Sequence, residues 1–130
     1  MRLILASTSP RRHELLTLLG VPFDVVAPPF IEQVQPHLSA DSQAVEFAAG
    51  KARSCVSSCP DALILGSDTL INLGSEVLGK PLDLAGAEVM LRRLAGQTHR
   101  IVTAVALAGP EPERCDVRLA EVLVTMKPLN

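Results

Sequence analysis

Residues 62–66, Ala-Leu-Ile-Leu-Gly, form a continuous apolar run that leads straight into Ser67-Asp68-Thr69. A half-solvated strand alternates apolar with polar residues, so an unbroken run of this length suits a strand buried on both faces, as in sheets covered by helices. It also puts a carboxylate, Asp68, where a central strand is expected to end.

The flanking segments extend this pattern. Leu3-Ile4-Leu5-Ala6 is a second short apolar run of strand type, after which the pattern changes abruptly. Ser9 followed by Pro10 predicts a helix start, the Ser hydroxyl serving as N-cap and Pro filling the first helical position. Leu15, Leu16, Leu18 and Leu19 supply its apolar stripe, and Gly20 with Pro22 stops it. Phe23 to Ala27 reads as a strand ended by Pro28-Pro29, while Phe30 to Leu38 has no period and reads as a loop. A long helix is predicted from Asp41 to Ser58, with Ser39 or Asp41 as cap. Leu70 to Leu73 and Glu76 to Leu78 flank Gly74-Ser75 as a hairpin. Another helix runs from Asp83 to Leu94, with Ala87, Met90, Leu91 and Leu94 as its core stripe and Gly96 as a left-handed terminator. Thr98 to Leu107 and Arg114 to Met126, separated by Gly109-Pro110-Glu111-Pro112, form a second hairpin. Strands alternating with helices, followed by an antiparallel pair, predict an α/β fold with a mixed β-sheet flanked by helices. The 130 residues suit a single domain, 1–130.

Composition narrows the partners. Twelve Lys+Arg against fourteen Asp+Glu, with 2% aromatics, provide neither a basic groove nor stacking rings, which argues against nucleic-acid polymers. No apolar run approaches the roughly 18 residues that span a bilayer. Leu3 to Ala6 is far shorter than a signal-peptide core, so a cytoplasmic protein without a membrane partner is expected. Cys55, Cys59 and Cys115 are an odd set without a Cys-x-x-Cys pair and are expected as reduced thiols. Cys55 and Cys59 share a helix face, but no third metal ligand is suggested beside them.

Several residues break local rules. Arg11 and Arg12 fall in the first turn of a helix, where the macrodipole disfavours cations. An anion at that helix terminus would compensate, since backbone N–H groups, the hydroxyls of Ser7, Thr8 and Ser9 and two guanidiniums could all donate toward one point; the alternative is that both arginines point into solvent. Phosphate is the natural guest, although the P-loop pattern is absent. Asp68, at the carboxyl end of an apolar strand, lies where open α/β sheets bind ligands, and a turn cap is the alternative for it. Glu32, in the aperiodic loop, is a second acidic candidate, and two such carboxylates could hold Mg²⁺ beside a phosphate. Lys51 and Lys80 add cationic donors, each with a solvated-surface reading as its alternative. His13, His37 and His99 are scattered and form no triad.

Together these blocks resemble the Maf-like nucleoside triphosphate pyrophosphatases. The resemblance rests on Leu5-Ala6-Ser7-Thr8-Ser9-Pro10-Arg11-Arg12-His13-Glu14-Leu15-Leu16, then Glu32, Lys51-Ala52, Gly66-Ser67-Asp68-Thr69, Gly79-Lys80-Pro81, and Leu94 to His99 continued by Thr103 to Leu107. It implies hydrolysis of a nucleoside triphosphate to monophosphate and pyrophosphate, with a divalent metal cation (Mg or Mn), in a fold like that of inosine triphosphatases that often forms a homodimer. By position it implies Asp68 as general base, Glu32 and Asp68 as metal ligands, and Arg11, Arg12, Lys51 and Lys80 on the triphosphate, with Ser7 and Ser9 lining the turn. Arg11 and Thr69 resemble the branch acting on dTTP and UTP. This chain departs from the family in having Gly50 where Glu usually precedes the helix lysine. The resemblance also implies further elements after Met126, so that a truncated, incomplete domain is expected. An inactive nucleotide-binding module is the alternative, and a phosphosugar or phosphoprotein phosphatase using the same helix terminus is a third.

Overall fold

A computed structural model of the chain describes residues 2–35, 38–111 and 113–129. His37 and Pro112, named above, lie outside the described residues. Leu3 to Ala6 lie in β1 (Arg2–Ala6), and the chain turns through Ser7-Thr8-Ser9 into α1 (Pro10–Thr17). Ser9 caps α1 as predicted, its hydroxyl accepting from the Arg12 N–H at 3.4 Å. After β2 (Asp24–Val26) and the long loop comes α2 (Ala40–Arg53), capped by Ser39 rather than Asp41. β3 (Ala62–Leu73) turns at Gly74-Ser75 into β4 (Glu76–Leu78). Next comes α3 (Leu84–Leu94), capped by Asp83, with Gly96 beyond it at φ 71, the left-handed conformation that glycine adopts without a Cβ clash. The hairpin of β5 (Thr98–Ala108) and β6 (Cys115–Thr125) follows.

The six strands form one mixed sheet in the order β2-β1-β3-β5-β6, with β4 paired to β3. β2, β1 and the start of β3 run parallel; β4, β5 and β6 are joined by antiparallel pairing. α2 covers one face, and its Ala44, Phe47, Ala48 and Ala52 pack with Ile4, Ala6, Ile64, Val102, Ala104 and Ala106 in the main core. Arg100 of β5 fastens the assembly by pairing with Asp41 in the first turn of α2 and with Glu121 of β6. Among the described residues, no helix is long and apolar enough to cross a membrane.

Four expectations are corrected. β3 does not end near Asp68 but continues to Leu73, because its second half is paired along its length with β5. Residues 62–66 are not buried on both faces: Ala62, Ile64 and Gly66 face α2 and are buried, whereas Leu63 and Leu65 are only partly covered. The long helix stops at Arg53, giving way to turns over residues 54–58. The predicted leucine stripe of α1 is mostly exposed, with only Leu16 buried, and the core stripe of α3 is only partly covered, with Leu94 buried, Ala87 and Met90 half-buried and Leu91 exposed. Amphipathic spacing specifies a face that can be covered, and coverage itself depends on a neighbour.

Gly66 sets how closely α2 approaches the sheet. A Cβ there would overlap the Ala48 carbonyl oxygen and lie 2.9 Å from Ala52 N, both backbone atoms of α2. Gly66→Ala is therefore expected to push α2 outward and to destabilise the protein by about 1–3 kcal/mol, the usual cost of overpacking. Gly50→Ala provides the contrast. Its Cβ would meet the Phe30 ring, a side chain and not backbone, which must shift from its place against Phe47, while removing a helical glycine returns about 1 kcal/mol of propensity, so a smaller loss is expected. Thermal unfolding of both variants checks this, and equal losses would contradict the backbone-contact argument.

Candidate functional site

Along one edge of β3 the pairing is interrupted. Leu65 is the last residue paired with β1 and Ile71 the first paired with β4, so Gly66 to Leu70 face a breach on that side. Asp68 and Thr69 lie in it. The breach opens just beyond the carboxyl end of β1, where Ser7 to Ser9 lead into α1, so the site still lies outside the ends of parallel strands.

Lys51 reaches into this breach from α2. Its ammonium donates to the Ser67 carbonyl oxygen at 3.2 Å and to Asp68 Oδ1 at 3.1 Å, and it also pairs with Glu32 Oε1. An ammonium has three protons, and here each has a protein acceptor. Lys51 thus pairs with the two acidic candidates at once. Its side chain is 14% exposed and that of Asp68 6%. Burial, together with the nearby Glu32 carboxylate, outweighs Lys51 and pushes the Asp68 carboxyl up to about 6. Glu32 goes the other way: burial raises it, but Lys51, the Asp68 carboxyl and the Arg12 guanidinium together hold it below its ordinary value.

Glu32 is delivered by a loop with its own anchors. Phe30 fills the space left by the missing side chain at Gly50 and packs against Phe47, with ring centroids 6.3 Å apart. Buried Gln43 closes the loop's other end, accepting from Gln35 N at 2.8 Å and donating to Leu38 O at 3.0 Å. Gly50, the departure from the family pattern, therefore has a packing role. Gln43 escaped the sequence reading; a polar residue on the inner side of an amphipathic helix was its only signal.

From the other side comes α1. Arg12 Nη2 donates to Thr69 Oγ1 at 3.1 Å, and Thr69 Oγ1 lies 3.0 Å from Thr103 Oγ1 on β5. Ser7 is buried, and its hydroxyl accepts from Ser9 N at 3.0 Å. His13 Nε2 lies 3.1 Å from the Ser7 carbonyl, to which only an N–H can donate. The helix terminus presents fewer free backbone donors than expected. Pro10 has none, the Arg12 N–H bonds Ser9 Oγ, and the His13 N–H bonds Ser9 O. The two serine hydroxyls accept in these bonds and keep their own protons to donate.

The structure thus brings together Arg12, Glu32, Lys51, Asp68 and Thr69, with Ser7 and Ser9 at the adjoining turn. Arg11 and Lys80 are exposed, and neither makes an ion pair among the described residues. Lys80 borders the site indirectly, since Gly79 leaves room for Val34 of the Glu32 loop to pack against it. His99 is buried and takes no part in the cluster. The three cysteines are free, and Cys55 lies in the core.

A divalent cation fits this donor set. Asp68 Oδ2 is buried and has no hydrogen-bond partner, while Glu32 supplies a second hard oxygen ligand close by. Among the described residues no three His, Cys, Asp or Glu side chains gather, so a cation held there would take only these two carboxylates from the chain and the rest of its shell from water or substrate.

Residues 2–130 match the family model described as Maf-like protein. The chain belongs to the Maf-like family. Its sequence is similar to a dTTP/UTP pyrophosphatase of Symbiobacterium thermophilum, at 45% identity over 130 residues, covering 99% of this chain and 66% of that protein. It is similar also to a dTTP/UTP pyrophosphatase of Escherichia coli strain K12, at 50% identity over 110 residues, covering 84% of this chain and 56% of that one. This Maf-like chain spans only about 56–66% of the length of those relatives. Two solved structures share its fold. The Staphylococcus aureus Ham1 protein matches with a TM-score of 0.60 at 16% identity, over 95% of this chain and 70% of that one. A nucleoside-triphosphatase / dITP/XTP pyrophosphatase of Mycobacterium abscessus matches with a TM-score of 0.53 at 20% identity, over 95% and 72%.

Proposed function

We propose that this Maf-like chain carries the catalytic half-site of a nucleoside triphosphate pyrophosphatase acting on dTTP and UTP. The reading rests on one observation above all: Asp68 is buried in the breach of the sheet, with Oδ1 tethered to Lys51 and Oδ2 free of any donor. A carboxylate so placed can take a proton from a water aimed at the α-phosphorus. Burial keeps it more basic than an exposed aspartate, which suits proton abstraction near neutral pH. The names carried by the relatives agree with this choice of reaction and substrate.

In this mechanism Arg12 binds the triphosphate, the hydroxyls of Ser7 and Ser9 donate to it, and the exposed Arg11 and Lys80, which lie outside the cluster, would reach it only as flexible side chains. Attack on the α-phosphorus builds negative charge on phosphoryl oxygens, which these preorganised donors stabilise. Glu32 and Asp68 would hold a divalent cation, Mg²⁺ or Mn²⁺, which supplies further neutralisation of that charge. Lys51 contributes to phosphate binding only by giving up one of its present acceptors. Thr69, beside Asp68 and bonded to Arg12, is the residue through which the base would be sensed.

Product analysis by chromatography tests the proposal, with dTTP, UTP, 7-methylguanosine triphosphate and ATP supplied in turn with Mg²⁺ or Mn²⁺. Pyrophosphate and monophosphate from dTTP or UTP are expected. Orthophosphate as the first product would indicate a phosphatase instead. Nucleotide-dependent stabilisation of folded protein without turnover would identify a binding module.

A further inference from the structure

We propose that Thr103 is a positioning residue for Arg12, acting through Thr69; the proposal rests on the reading of Arg12 as a triphosphate ligand. Thr103 lies on β5, directly opposite Thr69 of β3 in the antiparallel register. Its neighbours Val102 and Ala104 point into the core beneath α2, so Thr103 faces the opposite side of the sheet, together with Thr69 and the Arg12 guanidinium.

The chemistry gives this arrangement a direction. A guanidinium only donates, so Thr69 Oγ1 accepts from Arg12 Nη2 at 3.1 Å and keeps its own proton. The Thr103 hydroxyl oxygen, 3.0 Å away, is in place to accept that proton. Donating onward makes Thr69 Oγ1 a better acceptor for the guanidinium and fixes the Thr69 rotamer. Both threonines are β-branched and stiff at χ1, and both sit on paired strands, so the tether they form is anchored in the sheet. Arg12 needs such a tether because it projects from the first turn of a helix whose dipole repels it. Two hydroxyls, aligned by the β3–β5 register, hold the guanidinium over β3 beside the breach, near enough to Glu32 for its charge to act on that carboxyl.

The test is calorimetric titration of the full 130-residue chain with inorganic tripolyphosphate in the presence of Mg²⁺. Thr103→Val, which keeps the shape and removes the hydroxyl, is expected to weaken binding about 3- to 10-fold, as for the loss of one hydrogen bond. Thr103→Ser, which keeps the hydroxyl, should stay within about twofold of the unmodified chain. In an Arg12→Gln background the valine substitution should have no further effect. In turnover with dTTP, Thr103→Val should raise KM and leave kcat nearly unchanged.

A Thr103→Val chain that binds as tightly as the unmodified one overturns the proposal, as does an equal loss in the Arg12→Gln background. So does an unmodified chain that binds no tripolyphosphate. If the binding pattern holds but no nucleotide yields pyrophosphate, the tether stands and the pyrophosphatase reading falls. If nucleotides are turned over but the pattern is absent, the tether alone falls.

Discussion

Asp68→Asn is expected to lower turnover of dTTP or UTP by about 10²- to 10⁴-fold, the usual contribution of a general base, and at pH 8 to raise the unfolding midpoint. The two effects share one cause. Asp68 is buried with one oxygen unpartnered and a second carboxylate close by, and its pKa is pushed up to about 6. A carboxyl whose folded value lies above its unfolded one contributes stability that is fully present in acid and is lost as pH rises through the folded value. At pH 8 the ionised Asp68 therefore costs stability, and a neutral amide of the same shape removes that cost. Near pH 4 the native carboxyl is already protonated in the fold, so the substitution should bring no gain. Thermal unfolding at the two pH values in metal-free protein, alongside turnover with Mg²⁺, reads both effects. A lower midpoint at pH 8 would contradict the account of Asp68 as a desolvated, poorly satisfied charge.

Lys51→Met should be the most destabilising change in the site, costing about 3 kcal/mol at pH 8, as when one partner of a buried ion pair is removed. The ammonium alone pairs with both Glu32 and Asp68, and it also holds the Ser67 carbonyl exposed by the gap between β1 and β4. Without it, two carboxylates face each other across a poorly solvated space. Protonation relieves that repulsion, and because Lys51 lowers the Asp68 carboxyl, its removal moves that carboxyl above the value of about 6 it has in the native chain, so the loss should shrink as pH falls from 8 toward 6. A divalent cation should relieve it as well. Mg²⁺ or Mn²⁺ is expected to raise the midpoint of the Lys51→Met chain more than that of the unmodified chain, where the ammonium already stands between the two carboxylates. A deficit independent of pH and of metal would mean that Lys51 matters for packing and not for charge.

How far the site could be read in advance differs from residue to residue. Asp68, Glu32, Lys51 and Arg12 were each legible as candidates, Arg12 from its misfit with the helix dipole and Asp68 from its place after an apolar run. That they meet was not legible, because Arg12 and Thr69 are 57 residues apart and Thr69 and Thr103 are 34 apart. Thr103 lay in a recognisable block but had no role until the β3–β5 register set it opposite Thr69. The serine hydroxyls were expected as donors to an anion, and in the structure their oxygens also accept from the backbone of the turn.

The sequence by itself determined the order and type of the elements, the caps at Ser9 and Asp83, and the two hairpins, because each depends on groups within a few residues of one another, and it left the cap of α2 between Ser39 and Asp41. Only the tertiary structure decided which faces are covered, where the ladder beside β3 breaks, and how near α2 comes at Gly66. Those features depend on register and interlayer distance between distant segments, which local periodicity does not encode. It is at that break that one lysine and two carboxylates meet, with an arginine beside them, as a candidate site.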